Sequence, residues 1–308
     1  MTAETQPSDR ARALVRGGFD MHVHIAPDVV ERKIGDVELA RRCRELGLGG
    51  FQLKSHYTST AERARAVASA VDGVSVLGAI TLNRAVGGLN ALAVEIAARE
   101  GARTVWFPTV NSVNEQHEVH PPPPGSRAPV WVAFELELRE AGLDPEPVVV
   151  VDADGALTAD ALAVLGVIAR HDMVLATGHL SRDEIFTLVA GAVEAGVRHI
   201  VVTHPEFPSQ QITIPDQIAL AAQGALLERC FTTPHTGKAT WELICRASRE
   251  VGPANTVFSS DLGQVFNPPV EDGLALMADR FLEAGFSDEE VVTMAVANTR
   301  RLAGVDDP

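Results

Sequence analysis

The chain has 308 residues, of which 46% are hydrophobic and 22% charged, enough apolar material for a large buried core, which excludes a disordered, collagenous or coiled-coil protein. Lys and Arg number 26 against 41 Asp and Glu, a formal net charge of −15 with His neutral, and no basic run interrupts that balance, so a phosphate backbone is an unsuitable partner. The three cysteines, Cys43, Cys230 and Cys245, show no CxxC spacing, the N-terminal stretch lacks a secretory apolar segment, and no window approaches 18 apolar residues. The expectation is a cytoplasmic protein that does not enter a membrane.

Eight short apolar runs recur in chain order, each followed by a helical stretch: Gly18–His22, Gly50–Lys54, Val74–Ile80, Thr104–Pro108, Met173–Gly178, His199–Thr203, Ala225–Phe231 and Thr256–Ser260. This alternation predicts an α/β fold, a (β/α)8 TIM barrel forming a single domain over residues 1–308. Ser181-Arg-Asp-Glu184 and Ser287-Asp-Glu-Glu290 read as capping boxes, Pro215 suits a first helical turn and Gly224 suits the position after a helix end. The spacing stretches between the fourth and fifth runs, which predicts an insertion at about residues 112–158. It contains His117-Glu-Val-His120 and four prolines, read as a stiff loop, then a hairpin turning at Asp154-Gly155. A helix from about Ala159 to Arg170 follows.

Polar residues gather at the carboxyl ends of the predicted strands, the end at which barrel enzymes build their sites. In Asp20-Met-His22-Val-His24 two histidines two apart at a strand end point the same way and can reach one metal ion. His179, His204 and Asp261 sit equivalently on strands five, six and eight, and burying so many polar groups without a metal would leave unpaired atoms or charges. His171 and His199 fall at the opposite end, and His117 and His120 in the insertion, where capping or surface roles suit them. The cysteines read as structural.

The set of HxH on strand one, His on strands five and six and Asp on strand eight resembles the amidohydrolase superfamily of metal-dependent hydrolases. The resemblance covers the whole chain in strand order. It implies one or two divalent metals per chain, usually Zn2+, with His22, His24, His179, His204 and Asp261 as ligands and Asp261 as the base that takes a proton from the metal-bound water. Lys54 departs from the pattern: strand four offers neither lysine nor glutamate, whereas strand two ends in Lys54-Ser-His56. A buried ammonium there would be costly, so Lys54 is neutral, carboxylated by CO2 into a bridging carbamate, or aimed at an anionic substrate. Without a bridge the site is mononuclear, and His204 either backs a ligand or polarises the substrate, so Asp261, Lys54 and His204 are the candidate catalytic residues.

His56, Asn83, Asn111 and Glu206 are read as substrate contacts, Glu228 as a buried carboxylate partnering a ligand histidine or Arg229, and His235, Lys238 and Gln264 as further residues of the loops at that end. The expected activity is hydrolysis of an amide, cyclic amide, ester or lactone bond of a small molecule by a metal-activated water. Alternatives are a mononuclear decarboxylase or hydratase of the same superfamily, a phosphoesterase, and a barrel that binds a ligand without turnover. No heptad identifies an oligomer interface, and a homo-oligomer stays open.

Overall fold

A computed structural model describes residues 6–115 and 129–305. Eight strands, β1 (Phe19–Val23), β2 (Gly50–Leu53), β3 (Ser75–Thr81), β4 (Ala102–Trp106), β5 (Val174–Ala176), β6 (His199–Val202), β7 (Ala225–Cys230) and β8 (Thr256–Ser259), form one sheet in sequence order. Every adjacent pair from β1 to β8 is parallel. Just past the strand ends the sheet comes back on itself: Val23 bridges Leu262 in parallel, His24 N–H donates to the Leu262 carbonyl (2.8 Å) and Asp261 N–H to the His22 carbonyl (2.8 Å). With helices alternating around it, the result is a nearly closed TIM barrel.

The strands read as near-continuous apolar runs because parallel strands are covered on both faces. On β7, Leu226 packs with Met21, Trp106, Val174, Val201 and Val257 inside the barrel. Its neighbour Leu227 faces out to Ile200, Val202 and Leu220. Period-two alternation therefore also sends Glu228 inward and Arg229 outward. Arg229 is fully buried in the outer layer, its Nε donating to Ser248 Oγ (3.1 Å) and its Nη1 paired with Glu206.

The helix ends are closed where the local sequence says: both capping boxes are formed at Ser181 and Ser287, Pro215 lies in the first turn of helix Ile214–Ala222, and Gly224 follows it at φ 94°. Helix Ala159–Arg170 occupies the expected range. Before it, Val151 and Leu157 make a single antiparallel bridge around the Asp154-Gly155 turn. The β4–β5 connection also holds a helix, Trp131–Glu140, that the sequence reading did not anticipate. His117, His120 and the proline run lie outside the described residues. Among the described residues no helix is long and apolar enough to cross a membrane.

Candidate metal centre

The carboxyl ends of the strands deliver His22, His24, Lys54, His179, His204, Glu228 and Asp261 to one place. His22 Nε2 and His24 Nε2 each lie 3.3 Å from the same Asp261 oxygen, Oδ1. The ligand atoms of His22, His24 and Asp261 lie within 4.8 Å of one another. The ring of His204 lies 6.1 Å from that of His22 and 5.0 Å from that of His179, centroid to centroid. The His56 ring lies 4.9 Å from His24 and 6.1 Å from His179, so five buried imidazoles cluster.

The backbone is bent to achieve this. His204 (φ 26°) and Asp261 (φ 53°) both adopt positive φ, uncommon for residues with a Cβ, and such strain persists where surrounding structure over-determines it. Two glycines make room for the same turns. At Gly178 (φ 64°), just before His179, a Cβ would lie 2.3 Å from the Phe107 carbonyl oxygen, and at Gly263 (φ 135°) a Cβ would overlap the His24 carbonyl oxygen at 1.4 Å.

Behind the rings, polar side chains hold the Nδ1 atoms. His22 Nδ1 donates to Glu228 Oε1 (3.1 Å). Burial pushes the Glu228 carboxyl up, but the His22 and His204 rings and Lys54 outweigh it and bring it down to about 2, so it is an acceptor. His204 Nδ1 meets Gln210 Oε1 (2.8 Å), and because Gln210 Nε2 donates to the Gly178 carbonyl (2.9 Å), Oε1 accepts and His204 carries its proton on Nδ1. Glu115 Oε1 sits 3.1 Å from His179 Nδ1, out of line for a hydrogen bond, and is itself held by Ser209 Oγ (2.6 Å). His24 Nδ1 is buried without a partner. Burial and the neighbouring His179 lower His204 to about 3, and burial with the charges of Arg32 and Lys54 lowers His24 well below the ordinary imidazole range, against the pull of Asp261. Both rings are neutral at physiological pH. Burial acts upward on Asp261 too, but the His22 and His24 rings hold its carboxyl far below the usual carboxylate range.

This donor set fits a divalent metal. His204, a neutral imidazole whose Nδ1–H is fixed by the Gln210 amide, offers an Nε2 lone pair, and the ionised Asp261 lies against Nε2 of both His22 and His24. A second cluster, His22, Glu228 and Cys230, shares the far side of the same ring. Burial next to Glu228 pushes the Cys230 thiol well up, and its Sγ lies 3.7 Å from His22 Nδ1. Lys54 Nζ lies 2.9 Å from His22 Nε2 and 5.0 Å from the Trp106 ring centre. Burial lowers its amine below the ordinary value despite the nearby Asp261 and Glu228.

Three residues read as substrate contacts are used up elsewhere. Asn83 Nδ2 donates to the His56 carbonyl (2.9 Å) and Thr109 Oγ1 (2.7 Å), and its Oδ1 accepts from Thr109 N–H (2.9 Å) and Asn111 N–H (3.2 Å), so it straps the ends of β2, β3 and β4 together. Asn111 accepts from Arg84 N–H (3.0 Å) and donates to Glu135 (3.3 Å). Glu206 is paired with Arg229 and Gln217 in the outer layer. His56 does line the pocket above His24, with Nδ1 2.8 Å from Thr109 Oγ1, and Lys238 and Gln264 line it too. His235 instead stacks on Phe231. At the other end, His171 caps its helix 2.9 Å from Glu95 and His199 sits 3.3 Å from Asp172. The sequence reading missed Glu115 and Gln210 behind the rings, and Arg32, Trp131 and Phe207 in the pocket wall. Of these, only Gln210, six residues after His204, carried a local signal.

Fold and site together define a parallel (β/α)8 barrel with a cluster of histidines and one aspartate at the carboxyl ends of its strands. Solved structures with the same fold include an amidohydrolase from Pseudomonas aeruginosa (11% identity, 97% of this chain and 100% of that one, TM-score 0.60). Others are the probable dipeptidase PvdM from Pseudomonas aeruginosa (10%, 96% and 97%, 0.64) and an enamidase described as a member of the amidohydrolase superfamily (14%, 94% and 67%, 0.53). No curated protein matches the chain. Residues 17–228 match DUF6282, a family of unknown function, and the chain belongs to that family.

Proposed function

We propose that the protein is a metal-dependent hydrolase that cleaves an amide, cyclic amide, ester or lactone bond of a small molecule. The observation that carries this reading is the arrangement of His22, His24 and Asp261, with both Nε2 atoms 3.3 Å from one carboxylate oxygen and the Nδ1 of His22 held from behind by Glu228. His22, His24, His179, His204 and Asp261 would hold the metal, and an imidazole-rich set with one carboxylate favours Zn2+. When bound, such a cation polarises a carbonyl and lowers the pKa of water.

The chain's own groups supply the rest. Asp261, ionised at neutral pH, takes the proton of the attacking water on a carboxylate oxygen and returns it to the leaving nitrogen or oxygen. His204, its Nδ1–H fixed by Gln210, would offer the Nε2 lone pair to the metal. Lys54 Nζ lies 2.9 Å from His22 Nε2, so a carbamate formed on it would add two oxygen donors next to His22.

Elemental analysis of protein purified without chelator and supplied with bicarbonate tests the reading. Two metals per chain, falling in Lys54→Ala, are expected of the carbamate-bridged hydrolase, with turnover in amide and lactone panels abolished in Asp261→Asn. Because β4 ends in Trp106 and offers no bridging carboxylate, one metal per chain, indifferent to Lys54, would favour a mononuclear decarboxylase or hydratase. No bound metal would overturn both.

A further inference from the structure

The walls of the pocket carry two cationic side chains, Arg32 and Lys238, that the hydrolytic reading does not use. In a chain of net charge −15 with only three lysines, Lys33, Lys54 and Lys238, two of the three line this one pocket. Arg32 joins them, against Asp261 as the acidic side chain among the described lining residues.

Arg32 is set up as a fixed donor. Its side chain is 2% exposed, and Nε donates to Asp28 Oδ2 (2.7 Å). Asp28 Oδ1 is in turn occupied by the N–H of Val29 (2.7 Å), so the carboxylate cannot swing round to cover the rest of the guanidinium. Arg32 Nη1 is consequently buried with no hydrogen-bond partner. The loop that carries it is strapped down, with Arg63 donating to the carbonyls of Ile25 (3.1 Å), Ala26 (2.6 Å) and Pro27 (2.8 Å), and Lys33 N–H donating to Gly263 (2.7 Å). A buried guanidinium N–H without a partner is costly, and an incoming anionic acceptor would satisfy it with a charge-assisted hydrogen bond. From the segment after β7, Lys238 Nζ lies over the Phe207 ring (5.6 Å to its centre) and is hydrogen-bonded to the hydroxyl of Thr236 (2.8 Å). The free volume between these groups is about 50 Å³, room for a small planar group.

We propose that the substrate carries a free carboxylate apart from the bond that is cleaved, that Arg32 binds it through Nη1, and that Lys238 supplies the second positive charge. This rests on the hydrolase reading and narrows its substrate class to small carboxylic acids. Arg32 is then a specificity-determining residue.

Calorimetric titration of the full-length, zinc-loaded protein with glutarate, glutaric diamide and inorganic phosphate tests the proposal. Glutarate should bind at least tenfold more tightly than the diamide or phosphate. Arg32→Gln should lose at least tenfold in glutarate affinity with unchanged metal content, and Lys238→Met a smaller factor. Arg32→Lys, which keeps the charge without the fork, should recover only part of the loss, and if Arg32→Gln does not fold, it and Lys238→Met carry the test. Equal affinity for glutarate and its diamide, or glutarate affinity unmoved in the folded variants while metal content is normal, overturns the proposal and leaves the hydrolase standing. Tighter phosphate binding overturns the carboxylate assignment in favour of a phosphorylated ligand. Loss of metal from the wild-type protein would instead strike the hydrolase reading itself.

Discussion

The chemistry of this site depends on which nitrogen of each histidine faces inward, and residues outside the ligand set decide that. Glu228 and Gln210 take the Nδ1 sides of His22 and His204, and the Glu115 carboxylate lies 3.1 Å from the Nδ1 of His179, so the Nε2 sides remain for the centre. Partners of this kind are worth roughly 10- to 100-fold in metal affinity. Gln210→Ala and Glu115→Ala are therefore expected to weaken zinc binding by about one order of magnitude each while leaving the fold intact, as measured by competition with a chromophoric chelator. Unchanged affinity in both would mean that the rings are oriented by packing alone. The candidate ligands themselves were legible because each ends an apolar strand. Glu115 was not, since it reaches Ser209 across 94 residues and looks locally like any loop carboxylate.

At the scale of elements, the eight strands lie within two residues of their predicted bounds, because the apolar runs are bounded by turn residues and capped helices. The helix Trp131–Glu140 escaped because Val132, Phe134, Leu136 and Leu138 alternate with period two, a strand-like pattern, and Val130 provides no capping side chain. Helices Ala91–Arg99 and Ala159–Arg170 are joined through Glu95, which receives Arg99 Nε (2.6 Å), Arg170 Nη2 (2.9 Å) and His171 Nε2 (2.9 Å). Arg99, Arg170 and His171 together lower the Glu95 carboxyl to about 2. A carboxyl lower in the folded than in the unfolded chain contributes stability in full above the unfolded value, near 4.5, and loses it as pH falls toward 2. Glu95→Gln should be slightly less stable than the parent in urea at neutral pH, with the gap closing between about pH 4.5 and 2. A gap independent of pH would dissociate the junction from the charge of Glu95. The contribution is small, because exposed ion pairs are weak.

For the whole molecule, closure of the barrel turns positions separated by more than 200 residues into neighbours: His22 meets Glu228 and Asp261 only because β1 returns to β8. A metal held there binds the folded chain and has no preformed site in the unfolded one, so it stabilises by about 2.7 kcal/mol at a free concentration 100 times Kd. Chelation should lower the thermal midpoint by several degrees, zinc should restore it, and His22→Ala should melt at the chelated temperature whether or not zinc is added. A midpoint that ignores chelator in the wild-type protein would argue against a resident metal.

Period-two and helical periodicities, capping residues and strand-end polarity are local properties of the chain, and they sufficed for the order of the strands, the barrel and the candidate ligands. What only the tertiary structure decided is how each polar group spends its hydrogen-bonding capacity. Asn83, Asn111 and Glu206 lie near the strand ends with Arg32 and Lys238. Yet Asn83 and Asn111 are consumed in strapping loops and Glu206 in a buried pair with Arg229, while Arg32 lines the pocket with its Nη1 left without a hydrogen-bond partner. Those fates are set by partners far away in sequence. A residue's type and local pattern state what it can donate or accept, and the packing of distant loops determines what remains free.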